Sequence, residues 1–284
     1  MASTPAIEVR DLRKAYGEFE AVRGVDFTVA RGEIYGLLGP NGAGKTSTVE
    51  ILEGYRARTS GTVSVLGHDP GQRPIELRRR VGIVLQSSGI YNQVRVAEVL
   101  RHFARFYPSP RAVDEVIELV GLSDKRDERA RRLSGGQRRR LDLALALIGD
   151  PELIFLDEPT TGFDPAARRT AWDTIRSLKE LGKTVLLTTH YLDEAQELAD
   201  RVAIIKGGQI LAEGSPAQLG VGGSSRYRVA YLDGGEPVVA QTDDPTSLLH
   251  ELTSAALARG ERLEGLSVTR PSLEEVYLEL TADG

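Results

Sequence analysis

The stretch Ile34-Tyr-Gly-Leu-Leu-Gly39-Pro-Asn-Gly-Ala-Gly-Lys45-Thr46-Ser47 decides the fold. Ile34 to Leu38 is an apolar run of strand length, and the residues beyond it fit G-x-x-x-x-G-K-[ST]. A helical pattern follows. Glycines at these positions let backbone N–H groups turn inward around phosphate oxygens, and the helix behind them offers its positive N-terminus. Gly39, Pro40, Asn41, Gly42, Ala43, Gly44, Lys45, Thr46 and Ser47 are therefore the candidate phosphate cradle of a P-loop. Lys45 should reach the β- and γ-phosphates of ATP, and the Thr46 hydroxyl should ligate Mg²⁺. The alternative is a plain Gly-rich turn. The strand before it and the helix after it argue for the P-loop.

Working outward, the same kind of run recurs. Val81 to Leu85 leads into Gln86-Ser-Ser-Gly, Leu153 to Leu156 into Asp157-Glu158-Pro159, and Thr184 to Thr189 ends at His190. Short apolar runs of this type read as strands buried on both faces, as in a parallel sheet. Ile7-Glu-Val-Arg and Val25-Asp-Phe-Thr-Val alternate instead, as half-exposed antiparallel strands do. From about 93 to 150 strands disappear, and Val96, Leu100 and Phe103, with Phe106–Tyr107, recur at helical spacing. Val116, Leu119 and Val120 do likewise, as do Leu141, Leu145 and Ile148.

The expected fold is thus α/β: a P-loop NTPase with a mixed central sheet, an N-terminal antiparallel β subdomain and a helical insertion over about 87–150. This domain covers 5–219. Gly220-Val-Gly-Gly-Ser-Ser opens a linker over 220–226, and 227–284 forms a small C-terminal α+β extension. In it, Tyr227-Arg-Val-Ala-Tyr and Leu266-Ser-Val read as strands, and Pro245 to Arg259 and Ser272 to Leu280 as helices.

Of the 284 residues, 40% are apolar and 27% charged, so a sizeable core is within reach. With no cysteine, disulfides and cysteine-ligated metals are excluded. The formal charge of −5 gives no global pull toward nucleic acid. Arg78-Arg-Arg80 and Arg138-Arg-Arg140 sit among acidic neighbours on predicted helices and read as solvated faces. There is no signal-peptide core and no run of membrane-spanning length, so any membrane part is expected from another chain.

Behind a P-loop, Leu153-Ile-Phe-Leu-Asp157-Glu158 acquires a role. A strand ending in two carboxylates places Asp157 to hold Mg²⁺, and Glu158 to orient and deprotonate an attacking water. Leu133-Ser134-Gly135-Gly136-Gln137 then precedes a helix with an apolar face. This is a second helix start rich in amides, with a serine hydroxyl. A Ser-capped helix start is the simpler reading.

In this company the pentapeptide resembles the signature motif of ABC transporter ATPase subunits. The resemblance covers about residues 5–219, with the motifs in order. It implies that two subunits pack head to tail, each ATP lying between one P-loop and the partner's Ser134, Gly135, Gly136 and Gln137. It also implies that Gln86 joins the Mg²⁺ and water shell, that His190 senses the γ-phosphate, and that Tyr16 stacks on adenine. Asp164, in Thr161-Gly-Phe-Asp-Pro, would signal across the dimer, or be the N-cap of a helix with Pro165 at N1, or both.

Arg270-Pro-Ser-Leu-Glu-Glu-Val-Tyr-Leu-Glu-Leu280 and Glu53-Gly-Tyr look like the corresponding parts of bacterial drug- and antibiotic-exporter ATPases of the daunorubicin-resistance type. The resemblance implies a separate transmembrane permease as partner and a place on the cytoplasmic face of the membrane. An importer ATPase, or a non-transport ABC ATPase, are the alternatives. The latter usually carries two cassettes or long coiled coils, and neither is seen here.

Overall fold

The computed structural model describes residues 4–84, 93–219, 227–269 and 273–281. In chain order come β1 (Ile7–Tyr16), β2 (Phe19–Val29), β3 (Ile34–Leu38), α1 (Lys45–Leu52), β4 (Ser60–Val65), α2 (Ile75–Arg80) and β5 (Val81–Val84). Helices α3 (Val96–Ala104), α4 (Val113–Leu119) and α5 (Gly135–Leu147) follow, then β6 (Leu153–Asp157), α6 (Pro165–Glu180), β7 (Thr184–Thr189), α7 (Leu192–Leu198), β8 (Arg201–Lys206) and β9 (Gln209–Gly214). The rest comprises α8 (Pro216–Leu219), β10 (Tyr227–Asp233), β11 (Glu236–Thr242), α9 (Pro245–Ala258), β12 (Glu264–Thr269) and α10 (Leu273–Thr281). Packing divides the chain into two compact units, 1–213 and 214–284.

In the first unit the central sheet runs β5-β6-β7-β3-β8-β9, and β5, β6, β7, β3 and β8 are mutually parallel. Every residue of β3 and β7 is buried. Strands covered on both faces cannot alternate, which is why these segments read as continuous apolar runs. The two alternating N-terminal segments pair as β1 and β2, and β4, where the sequence reading names no strand, completes the antiparallel sheet β2-β1-β4. Its inner residues Val9, Leu12, Val25 and Phe27 share one core with Tyr35, Leu37, Phe155 and Leu186. Within that core Phe27 stacks on Tyr35 at 5.4 Å, and the Tyr35 hydroxyl donates to Glu213 at 3.0 Å. Burial first, then Glu213, raises the Tyr35 pKa and keeps the phenol a neutral donor.

Two helical readings shift. The spacing carries the first helix through Phe106–Tyr107, yet α3 stops at Ala104 and Phe106 is 64% exposed. Pro108 disfavours helical geometry in the residue before it, and the last turn tightens through Phe106 N–H to the Phe103 carbonyl. On α5, Leu141 and Ile148 are buried but Leu145 only partly so, whereas Leu143, Ala144 and Leu147 are buried as well. The helix is enclosed on several sides because it packs on β5 as well as on α3 and α4.

The sequence reading names no strand over 201–214 or 236–242, where β8, β9 and β11 lie. Gly207-Gly208 and Gly234-Gly235 sit between the paired strands at positive φ, the two-residue hairpin signal that marks both turns. The second unit carries its own sheet, β11-β10-β12, with Val229 and Ala256 fully buried between β10 and α9. Asp244 caps α9, accepting from Thr246 and Ser247 N–H at 3.1 Å. Residues 220–226, read as a linker, and Gln86 lie outside the described residues.

Candidate active site

Parallel strands deliver all their C-terminal ends to one edge, where ligands of open α/β sheets bind. Leu38 is level with Thr189 and Ile204, and Asp157 with Thr188. The P-loop, Asp157–Glu158 and His190 therefore emerge side by side. Only β7 stands between β3 and β6, so the P-loop strand and the Asp157 strand lie about 10 Å apart.

The loop leaves β3 at Gly39 and enters α1 through Gly44, whose φ of 103° suits glycine. Lys45 is 5% exposed, and its ammonium donates to the Gly39 carbonyl at 2.6 Å and the Pro40 carbonyl at 3.1 Å. Burial lowers its pKa, while Glu158 and Asp157 pull it back up. The cation thus faces the carboxylates across the site. Glu53, at the end of α1, is pushed up to about 8 by burial first and then by Asp157 and Glu50, so it carries a proton at neutral pH and adds no charge.

A Cβ on Gly39 would stand 2.2 Å from the Ile205 carbonyl oxygen, which is backbone and cannot swing aside. Gly39→Ala should therefore destabilise the fold by about 1–3 kcal/mol in urea unfolding and weaken ATP binding as the loop shifts.

At the end of β6, Asp157 accepts from the Thr188 hydroxyl at 2.5 Å. Glu158 follows at φ 46°, a region that costs a non-glycine residue about 1–3 kcal/mol and holds only where neighbours enforce it. Its N–H donates to both the Thr188 carbonyl and hydroxyl at 3.1 Å, and Thr161 donates to its carboxylate at 3.2 Å. Nδ1 of His190 lies 3.1 Å from Glu158 Oε1, though its N–H direction misses the angle of a hydrogen bond. The two side chains are in close polar contact without hydrogen-bond geometry between them, and the imidazole packs at 4.1 Å on the Tyr191 ring.

Tyr16, Phe19, Ala21, the segment 41–47, Arg56 and Glu158 line one open cleft of about 370 Å³. That volume lies within the range of small-ligand sites. The Tyr16 hydroxyl is hydrogen-bonded to Ser47 at 3.1 Å, and the Lys14 and Arg56 cations lie 4.8 and 5.3 Å from its ring. Arg56 in turn donates to Glu50 at 2.5 Å. Thr46 is exposed on the same wall.

The signature lines a different cleft, of about 620 Å³, with Thr161, Phe163 and Asp164 opposite. Ser134 caps α5 by accepting from Gln137 N–H at 3.2 Å, while the Gln137 side chain accepts from Ser134 N–H at 3.0 Å. This capping box makes Ser134-x-x-Gln137 self-sufficient. Asp164 caps α6, accepting from Ala166 and Ala167 N–H at 2.9 Å, with Pro165 at N1. Glu158 belongs to both walls. Among the described residues of one chain, the P-loop cleft and the signature cleft share that residue alone.

Several site residues escape the sequence reading: Thr188, Arg56, Phe19, Arg139 and Glu194. Phe19 was findable as an aromatic beside the Gly17 turn. Thr188, Arg139 and Glu194 acquire meaning only from contacts 18 to 34 residues away, which take Arg139 off the solvated face read for Arg138–Arg140. Arg56 acquires it from its place 5.3 Å from the Tyr16 ring.

Among the described residues no three His, Cys, Asp or Glu side chains converge on a point. Mg²⁺ needs no such cage, since it keeps waters and substrate phosphates and takes one or two protein ligands. Asp157, whose charge acts on Lys45, and Thr46, the exposed residue next to that lysine, fit that donor set.

The fold and its clefts define a P-loop ATPase. A family model described as ABC transporter matches residues 22–161. A daunorubicin resistance ATP-binding protein of Streptomyces coeruleorubidus is 38% identical, covering 100% of this chain and 98% of its own. A Nod factor export ATP-binding protein I of a Rhizobium species is 39% identical over 98% of each chain. A solved ATP binding subunit of an ABC transporter, 25% identical, superposes over 98% of this chain and 100% of its own with a TM-score of 0.72. The chain belongs to the ATP-binding subunits of ABC transporters, a family of ATPases. Such subunits bind nucleotide and generally act with a membrane permease and as dimers. Among the described residues no helix is long and apolar enough to cross a membrane.

Proposed function

We propose that this chain drives export of a drug-, antibiotic- or lipid-like molecule through a separate permease at the cytoplasmic face of the membrane. The relatives named for drug resistance and for Nod factor export, matched along nearly the whole chain, support that direction. The ATPase domain we assign to 5–219, with its helical subdomain at about 87–150. The segment 220–226 links it to the extension at 227–284.

The observation that carries the mechanism is the separation of the two clefts. A nucleotide held by the P-loop of one chain leaves the signature of that chain free to meet another. Two copies packed head to tail would put Ser134, Gly135, Gly136 and Gln137 of each against the γ-phosphate held by the other. Tyr16 offers a ring for adenine, Lys45 neutralises the β- and γ-phosphates, and Thr46, Asp157 and Gln86 would hold Mg²⁺ and its waters. Mg²⁺ supplies charge neutralisation on the phosphates. Glu158 takes the proton as water attacks the γ-phosphorus and the β–γ bridging P–O bond breaks. His190, against Glu158, steadies the γ-phosphate, and Asp164 faces the partner across the interface.

Co-expression with a candidate permease tests the reading. In inverted vesicles, whose cytoplasmic face meets the bath, added ATP should drive a lipophilic cation or dye into the lumen, and ATP-driven loss from preloaded vesicles would indicate an importer. Lys45→Ala should weaken ATP affinity as well as turnover, because the ammonium neutralises phosphate charge in the ground state too. Calorimetry with ATP checks this; unchanged affinity would remove Lys45 from the cradle.

A further inference from the structure

Arg139 has no part in the reaction described above, yet it grips the loop that carries Glu158. It sits on α5, two residues beyond the signature glutamine. Its Nη2 donates to the Asp157 carbonyl at 2.8 Å and its Nε to the Pro159 carbonyl at 3.4 Å. These carbonyls flank Glu158 on both sides. A guanidinium presents its donors in a rigid planar fork, so binding both fixes the relative orientation of two peptide planes. Between them stands the residue at φ 46°.

The next residue is held as well. The Thr160 hydroxyl donates to Glu194 Oε1 at 2.7 Å, and Trp172 Nε1 donates to the same oxygen at 3.2 Å. Glu194 is fully buried. The segment 157–160 is thus tied to α5 through Arg139 and to α7 through Glu194. A left-handed non-glycine residue persists only where such ties over-determine it.

We propose that Arg139 is a positioning residue for Glu158: the helix that begins with the signature holds the carboxylate of its own chain in its working geometry. The inference rests on the assignment of Glu158 as base. It predicts a defect in turnover and not in nucleotide binding, because neither carbonyl belongs to the P-loop.

The test uses the full chain with Arg139→Met, which keeps an unbranched stem and removes the donors, and Arg139→Lys, whose single ammonium reaches one carbonyl. Arg139→Met should lower kcat about 10²-fold, the scale of a small displacement of a catalytic group. KM should stay within about twofold, the signature of an interaction made only in the transition state. In the Glu158→Gln background, calorimetric ATP affinity and ATP-driven dimerisation should survive Arg139→Met. Arg139→Lys should recover about tenfold of the lost kcat.

A kcat for Arg139→Met within about threefold of the parent overturns the proposal. So does loss of ATP affinity or of the ATP-driven dimer in step with kcat, which would place Arg139 in the cradle or the interface. If Arg139→Met does not fold, Arg139→Lys decides: intact ATP affinity with kcat down about tenfold supports it, and parental kcat sinks it. Glu158→Gln, run beside these, separates the two readings. Slow Glu158→Gln with parental Arg139→Met removes Arg139 alone, and fast Glu158→Gln removes the base and its positioning together.

Discussion

Glu158→Gln should bind ATP with parental affinity and hydrolyse it about 10²–10⁴-fold more slowly, read as phosphate release at saturating ATP. The range is the usual contribution of a positioned base. The amide keeps the shape of the carboxylate and can still accept from Thr161, which lies 3.2 Å from Oε2 in the parent. The N–H bonds of residue 158 to Thr188 do not involve the side chain and should persist. What disappears is the capacity to take a proton. The charge facing Lys45 also falls by one, and Glu158 is the carboxylate that raises its pKa most. ATP, which brings its own negative charge to Lys45, should bind no worse for that loss. Parental turnover in this variant would end the assignment of Glu158 as base.

The second large effect is on assembly. In the Glu158→Gln background ATP should drive the chain into a dimer that hydrolysis cannot clear, seen as a doubling of mass in sedimentation. Ser134→Arg added to it should abolish that dimer while ATP affinity of the monomer stays near parental. The substitution removes the hydroxyl that caps α5 at 3.2 Å from Gln137 N–H, and puts a long cation at the mouth of the signature cleft. Loss of the cap costs about 1 kcal/mol, too little to unfold the domain. The P-loop cleft has no Ser134 in its wall, so nucleotide binding has no reason to change. A double variant that still dimerises, or a Ser134→Arg single variant that cannot bind ATP, would return the site to one subunit.

The motifs were legible because each is a local device. The cradle is one turn and one helix start. The Ser134-x-x-Gln137 box closes within four residues, and Asp164 caps the helix that begins beside it. Strands β3, β5, β6 and β7 were legible because burial on both faces leaves uninterrupted apolar runs, and β1 and β2 because one exposed face leaves alternation. The hairpin of β8 and β9 and the exposed end of α3 were not. Their patterns are short, and burial there depends on which neighbour the chain happens to meet.

By itself the sequence determined which chemistry the chain carries: a phosphate cradle, a carboxylate pair, a signature helix start, and their order. Only the tertiary structure decided how these groups face one another. The placing of β7 between β3 and β6 brings Thr188 to both Asp157 and Glu158, 31 and 30 residues away along the chain. Packing of α5 on β5 brings the Arg139 fork to the Asp157 and Pro159 carbonyls, and packing of α7 brings Glu194 to Thr160. The positive φ of Glu158 is held by those long-range contacts. Their physical basis is strand order and helix packing, which depend on the whole core and leave no pattern in any short window of residues.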